Sequence, residues 1–164
     1  TPYFVDAIIL NFSTGHKIRH SSFDKILSRD NVDQIFESKL AIKFWESLER
    51  KRIECKEITD LSESKNKTTK KKVLAIAGIG VPNKFFLTLK SLGLDFDALP
   101  LNNHEKDIND IIKRVDISNY DLVLTTEKDG VKLTLKDKEI TRKVWKLITE
   151  LHLPDDFYRK LIEE

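Results

Sequence analysis

His104 is the side chain of this sequence whose type and surroundings are best suited to chemistry. It lies between Asn103 and Glu105, shortly after an apolar run. Because an imidazole titrates near neutral pH, a histidine here could relay a proton or hydrogen-bond to a carboxylate. The pattern alone is equally consistent with an ordinary surface histidine. The single cysteine and the four histidines form no complete metal-ligand pattern, so we predict no protein metal site.

A second candidate is the pair Gly78 and Gly80, which follows the apolar run 73–77. Glycine permits positive φ angles and close approach of the backbone, so a Gly-x-Gly turn after a strand could hold a phosphate. The dinucleotide fingerprint needs a third glycine where Asn83 stands, and this favours a purely structural turn. The P-loop pattern GxxxxGK[ST] is absent, so the chain has no obvious means of holding a nucleoside triphosphate.

The third candidate is the charged segment Thr126-Glu127-Lys128-Asp129, which follows 121–125 (DLVLT), a predicted strand of the buried type. The favoured interpretation of this cluster is structural. Thr126 or Glu127 at the end of a strand can accept hydrogen bonds from the free N–H groups of a following helix. We therefore assign the segment no chemical step.

Alternating strands and helices should position these candidates. We predict a strand at 73–77, a helix from Pro82 to a stop at Gly93, and further strands at 94–101 and 121–125. Crossovers of this kind favour parallel pairing, so the class is α/β, a small Rossmann-like three-layer domain with a mostly parallel sheet. Functional loops collect at the carboxyl ends of parallel strands, which should bring His104, Gly80 and Thr126 to one edge.

The flanking regions are less regular. A strand is expected at 3–12, one long amphipathic helix from Asn31 to about Glu49, and a short strand through Ile53, Cys55 and Ile58. The Lys-rich stretch 60–72 is more consistent with a solvated loop than with contacts to phosphate or anionic lipid. The remaining predicted elements are a helix at 108–115, a strand at 143–148 and a helix starting at Pro154. The predicted division is 1–59, 60–72 and 73–164.

Composition narrows the class of protein. With 29 basic and 27 acidic side chains, the charge is too balanced to indicate nucleic-acid binding. Cys55 is the single cysteine, so an internal disulfide is excluded and a reducing compartment is favoured. No apolar run has the length of a membrane span. The chain begins with Thr1 and contains no methionine, so we expect a fragment of a longer protein.

Three stretches in order, LAIAGIGVPNKFFLTLKSLGL, NHE and LTTEKDGVKL, resemble the C-terminal domain of tetraacyldisaccharide 4'-kinase, the lipid A 4'-kinase family of Gram-negative bacteria. The family pattern is roughly AGIGNPERFF, then DHH or DHY, then TEKD followed by VK. The resemblance is convincing over 73–133 and weaker to the C-terminus and at 5–11. Residues 14–50 match no part of the pattern.

The resemblance implies a two-domain enzyme whose N-terminal domain carries the P-loop, the Mg–ATP ligands and a catalytic aspartate. His104 aligns with the histidine of DHH, which would support that aspartate. Asn103 replaces the aspartate of the motif, and Glu105 follows. Mg–ATP is expected for the full-length enzyme and no cofactor for this chain alone. The implied partners are the N-terminal P-loop domain, the lipid A precursor and the cytoplasmic face of the bacterial inner membrane.

Two alternatives belong to other classes of function. The chain could be a degenerate, non-catalytic accessory domain descended from the kinase. It could instead be a Rossmann-like domain that binds a small ligand at the turn formed by Gly78 and Gly80. A P-loop encoded upstream would favour the kinase, whereas nucleotide binding by the isolated chain would favour the Rossmann-like binder.

Overall fold

The structure, a computed structural model, describes residues 8–12, 35–63, 71–101 and 108–163. The chain divides into two compact units. The larger unit is Ile42–Thr149, and the smaller unit combines Thr1–Ala41 with Glu150–Glu164. The division into 1–59, 60–72 and 73–164 stays a prediction.

Strands and helices alternate along much of the chain. The strands are β1 (Ile8–Phe12), β2 (Ile35–Ser47), β3 (Arg52–Ile53), β4 (Val73–Ala77), β5 (Asp97–Pro100), β6 (Leu122–Thr126) and β7 (Val144–His152). The helices are α1 (Cys55–Ser62), α2 (Pro82–Ser91), α3 (Ile108–Arg114), α4 (Glu127–Gly130), α5 (Lys138–Lys143) and α6 (Asp155–Glu163), with a 3-10 turn at Ile117–Asn119.

In the larger unit, the strand order is β2-β7-β6-β4-β5, and β3 pairs antiparallel with β2. Strand β4 pairs in parallel with β5 on one side and with β6 on the other. Strand β6 also pairs in parallel with β7. The parallel arrangement predicted for 73–77, 94–101 and 121–125 is confirmed, and the fold is α/β.

Helices cover both faces of the central strands, which gives the predicted three layers. Strands β4 and β6 are buried along their whole length because each face meets a separate core. Alternate residues of β4 point to opposite faces, so Ala75 belongs to one core and Leu74 to the other. The helical residues of these cores are Phe85, Phe86 and Leu89 of α2 and Ile108, Ile111 and Ile112 of α3.

Helix α2 begins and ends where its sequence signals predict. Pro82 occupies the first turn, where its missing N–H costs no helical hydrogen bond. Gly93 follows the helix with a φ of 79°, and its N–H donates to the carbonyl of Lys90 at 2.9 Å. The N–H of Leu94 donates to the carbonyl of Leu89 at 3.2 Å, which completes a Schellman motif.

The long helix predicted from Asn31 to Glu49 is wrong. Residues Ile35–Ser47 form strand β2 instead, and residues 31–34 lie outside the described ranges. Phe36 and Ser38 are buried between exposed neighbours, which is the period of a strand rather than of a helix. Pairing with β1 and β3 therefore decides the conformation of a segment whose apolar spacing is ambiguous.

Other predicted boundaries shift. Cys55 and Ile58 belong to helix α1 and not to a strand, because the N–H of Glu54 and the side chain of Glu57 form a capping box at 2.7 Å. This helix also takes in the start of the predicted loop 60–72, of which 64–70 lies outside the described ranges. Of the strand predicted at 94–101, only Asp97–Pro100 forms.

The smaller unit contains β1, the first residues of β2 and helix α6. Strand β1 pairs in parallel with β2, with Ile8 opposite Ile35. Phe36 of β2 contacts Phe157 of α6 edge to face, with ring centroids 5.2 Å apart. Helix α6 starts directly after Pro154, as predicted. Within the ranges that the structure covers, no helix combines the length and apolar character of a membrane span.

Candidate functional site

The carboxyl ends of β4 and β6 bring two of the predicted candidate segments together. Strand β4 leads into the turn that starts at Gly78, and β6 ends at Thr126 and leads into helix α4. Strand β5 ends beside them, since the N–H of Leu101 donates to the carbonyl of Ala77 at 2.8 Å. Asn103, His104 and Glu105 lie outside the described residues, so their place at this edge stays a prediction.

Asp129 links these segments. Its side chain is buried, with 1% of the residue exposed. Oδ2 accepts a hydrogen bond from the N–H of Gly78 at 2.8 Å and another from the hydroxyl of Thr126 at 2.7 Å. Oδ1 lies 3.7 Å from Nζ of Lys132. Because its oxygens are engaged in this way, Asp129 is a structural carboxylate rather than an acid or base open to substrate.

Thr126 caps helix α4, and this decides between Thr126 and Glu127, the two residues that the sequence offers for this role. Its Oγ1 accepts a hydrogen bond from the N–H of Asp129 at 3.2 Å while its hydroxyl donates to the carboxylate of the same residue. Glu127 and Lys128 are exposed. Of the segment 126–129, these two side chains are therefore the ones that a ligand could reach.

Close packing, and not the φ angle, is what requires a glycine at position 78. A Cβ at this position would lie 3.2 Å from Oδ1 of Asp129 and 3.2 Å from Cδ1 of Leu101. Gly80 has open space, with no atom within 4 Å of a Cβ. Among the described glycines, only Gly93 has a positive φ, so Gly78 and Gly80 do not use that freedom of glycine, whereas a close approach does occur at Gly78.

A second aspartate links the same two strands at their amino ends. Oδ2 of Asp121 accepts a hydrogen bond from the N–H of Lys72 at 2.9 Å. Lys72 directly precedes β4 and Asp121 directly precedes β6, whereas Gly78 directly follows β4 and Thr126 is the last residue of β6. Asp121 is exposed, in contrast to Asp129.

Asn109 is a linking residue that sequence reasoning missed. It lies in the first turn of α3, and its Nδ2 donates to the carbonyl of Lys132 at 3.0 Å. Its Oδ1 accepts from the N–H of Thr134 at 2.7 Å. These bonds hold the start of α3 against the segment that follows α4. No local sequence signal marks an asparagine that bridges segments this far apart.

The ion pairs of Glu46 were also not predicted, because the sequence pattern placed this residue on the helix expected from Asn31 to Glu49. It is 8% exposed, and its Oε2 lies 2.7 Å from Nζ of Lys146 while Oε1 accepts from Nε of Arg52 at 3.0 Å. The hydrogen bond from Lys146, followed by that from Arg52, lowers the pKa of Glu46. Lys146 also packs against Gly130, where a Cβ would come within 3.0 Å of the lysine Cβ.

The described part of the chain contains no group of three or more His, Cys, Asp or Glu side chains placed to hold a metal ion. His152 is exposed, 4.0 Å from the carboxylate of Glu150. The expectations of no protein metal and no cofactor for this chain alone stay predictions.

Comparison with known proteins identifies a family and several relatives. The family model of LpxK, tetraacyldisaccharide-1-P 4'-kinase, matches residues 5–164, including the stretch 14–50 where no motif was recognisable. The chain is 37% identical over 94 residues to the tetraacyldisaccharide 4'-kinase of Herminiimonas arsenicoxydans, an alignment that covers 57% of this chain and 26% of the relative. It is 44% identical over 80 residues to that of Neisseria gonorrhoeae, covering 47% and 21%.

The match thus spans about a quarter of the length of these curated relatives. Among solved structures, the chain is similar to LpxK from Aquifex aeolicus in complex with ATP, with a TM-score of 0.49 and 16% identity. That alignment covers 94% of this chain and 51% of the other.

Proposed function

The chain belongs to the tetraacyldisaccharide-1-P 4'-kinase family, and on that premise we propose that it is the C-terminal part of a lipid A 4'-kinase. The complete protein would transfer the γ-phosphate of ATP to the 4'-hydroxyl of a tetraacyldisaccharide 1-phosphate. It would do so at the cytoplasmic face of the bacterial inner membrane. The observation that carries this proposal is the family match over residues 5–164.

ATP and magnesium would be held by a P-loop domain outside this chain. The sequence contains no P-loop, and phosphoryl transfer depends on backbone N–H groups and cations that cradle the phosphates. The chain would therefore contribute loops that complete the site. The partners in this proposal are the P-loop domain of the same protein, the lipid A precursor and the membrane surface.

His104 is the residue that we propose for direct support of the chemistry. It follows the end of β5, and Leu101 at that end is hydrogen-bonded to Ala77. A histidine there would hydrogen-bond to the catalytic aspartate of the P-loop domain and stabilise the charge that develops during transfer. Asn103 stands where the family motif has an aspartate, so its amide would replace a carboxylate in this support.

The hydrogen bond at Gly78 argues against the Rossmann-like alternative. A glycine turn that binds a pyrophosphate must offer free N–H groups to the anion. Here the N–H of Gly78 already donates to Oδ2 of Asp129, and the buried carboxylate would repel a phosphate placed beside it.

Kinetics on the complete gene product test this proposal. His104→Ala should lower kcat for the lipid substrate by about 100-fold, the lower range for one positioned proton-handling or electrostatic group. Asn103→Asp should preserve or raise kcat, because it restores the carboxylate of the family motif. His152→Ala is the matched control, since His152 is exposed, and its kcat should not change.

Melting temperatures of the three variants should stay close to that of the wild type. Unchanged kcat in His104→Ala would remove this residue from the proposed mechanism. A complete gene product without any transfer activity would favour the degenerate accessory domain.

A further inference from the structure

Two aspartates bridge β4 and β6, one at each end of the strand pair. At the amino ends, exposed Asp121 accepts from the N–H of Lys72 at 2.9 Å. At the carboxyl ends, buried Asp129 accepts from the N–H of Gly78 at 2.8 Å. The two bridges make the same kind of bond between the same strands, and they differ in burial and in what surrounds them.

The burial of Asp129 needs an explanation beyond the link between two strands. Asp121 shows that a carboxylate can make such a link while it stays exposed to solvent. Burying a carboxylate costs several kcal/mol unless hydrogen bonds and counter-charges compensate. Asp129 has both, from Gly78, from Thr126 and from Nζ of Lys132. A group held this tightly has a fixed position.

The contacts of Asp129 belong to a network that joins three described segments at this edge of the sheet. Gly78 starts the turn after β4, and its tight packing leaves only 3.2 Å between a Cβ and either Asp129 or Leu101 at the end of β5. Lys132, the ion partner of Asp129, uses its carbonyl to accept from Asn109 at the start of α3. A shift of the carboxylate would therefore move the turn, the end of β5 and the segment after α4 together.

We propose that Asp129 is a positioning residue of the kinase, which acts through Gly78 to fix the turn at 78–81 and the end of β5 for phosphoryl transfer. This inference rests on the function proposed above. Asp129 contacts no substrate; it holds the backbone from which the loops of the edge project. Misplacement of such loops by about 1 Å can lower a rate by about 100-fold.

The test compares Asp129→Asn with Asp121→Asn in the complete gene product. Each variant removes one negative charge from an aspartate that bridges β4 and β6. Asp129→Asn should lower kcat for the lipid substrate by about 10- to 100-fold while the KM for Mg–ATP changes less than about threefold. Asp121→Asn should leave both constants at the wild-type values. Assays run well below the melting temperatures of both variants exclude a loss that arises from unfolding.

Amide exchange supplies a readout that does not depend on activity. In Asp129→Asn, the N–H groups of Gly78 and Leu101 should exchange faster than in Asp121→Asn at equal global stability. If Asp129→Asn does not fold, Thr126→Val takes its place. That variant removes one hydrogen bond to the carboxylate and keeps the bond from Gly78, so a smaller loss of kcat is expected.

The outcomes separate this inference from the proposed function. A wild-type kcat in Asp129→Asn overturns the positioning role of Asp129. If Asp129→Asn does not fold and Thr126→Val is used instead, a wild-type kcat in Thr126→Val overturns it. Equal exchange at Gly78 and Leu101 in the two aspartate variants also overturns it, whether or not the protein is a kinase. Faster exchange at both amides together with an inactive wild type would sustain the positioning of the edge and reject the kinase.

Discussion

The N–H of Gly78 donates a 2.8 Å hydrogen bond to the buried Oδ2 of Asp129, and this bond joins two motifs that lie 51 residues apart in sequence. One motif is the glycine turn after β4, and the other is the charged segment after β6. The family resemblance rests partly on the same two motifs. Through this contact, each motif supplies half of one structural unit.

Gly78→Ala should destabilise the chain. The added Cβ would meet Asp129 and Leu101 at 3.2 Å, so these neighbours must shift, at a cost of about 1–3 kcal/mol in the free energy of unfolding. Urea denaturation of the 164-residue chain measures this cost. Gly80→Ala is the control, because its Cβ would enter open space, and its stability should be unchanged or higher by up to about 1 kcal/mol. Equal stability of the two variants would contradict the packing argument.

The neighbouring threonines of β6 should respond in opposite ways to valine. Thr126→Val loses the cap of α4 and the hydrogen bond to Asp129, and it should cost about 1–2 kcal/mol. The hydroxyl of Thr125 is buried and has no hydrogen-bond partner among the described residues. Thr125→Val should therefore be neutral or stabilising by up to about 1 kcal/mol. Thermal melts of both variants measure these changes in stability. If Thr125→Val loses more stability than Thr126→Val, the hydroxyl of Thr125 makes a stabilising hydrogen bond, and this prediction is wrong.

Acid should weaken the fold partly through Glu46. Lys146, and then Arg52, lower the pKa of Glu46 from its ordinary value of 4.5. The ion pairs therefore stabilise the folded state above that value, and this stabilisation is lost as the pH falls through the lower pKa of the folded protein. Glu46→Gln lacks this contribution, so its free energy of unfolding should fall less steeply than that of the wild type between about pH 6 and about pH 3.

The same substitution should lower stability at neutral pH, because it leaves the largely buried Lys146 without its anion. Glu49→Gln provides the comparison, since Glu49 makes a 3.5 Å ion pair with Arg142 between two exposed side chains. Its stability at neutral pH should stay within about 0.5 kcal/mol of the wild type. Parallel acid titrations of Glu46→Gln and the wild type would argue against the assigned role of Glu46.

Local signals in the sequence were sufficient for the centre of the fold. The apolar runs of β4 and β6 indicate strands buried on both faces, and Pro82 and Gly93 mark the limits of α2. Strand β2 could not be predicted in this way. Its apolar residues fit a helix as well as a strand, and pairing with β1 and β3 decides between them.

The site was only partly predictable for the same reason. Motifs identified Gly78, Thr126 and Asp129 as candidate site residues, and capping preferences limited the cap of α4 to Thr126 or Glu127. The sequence predicts that β4 and β6 are parallel and end at one edge, but the bond between Gly78 and Asp129 also depends on the pairing register, which no local pattern reveals. The ion pair of Glu46 with Lys146 likewise joins side chains that only the folded sheet brings together.

The most direct test of the proposed function is phosphate transfer from γ-labelled ATP to tetraacyldisaccharide 1-phosphate. The complete gene product should place the label on the 4'-hydroxyl of the lipid, as NMR of the product would establish. The 164-residue chain alone should transfer no label and should bind Mg–ATP weakly or not at all in calorimetry, because it has no P-loop. Micromolar binding of Mg–ATP by the chain alone, or no transfer by the complete gene product, would contradict the account.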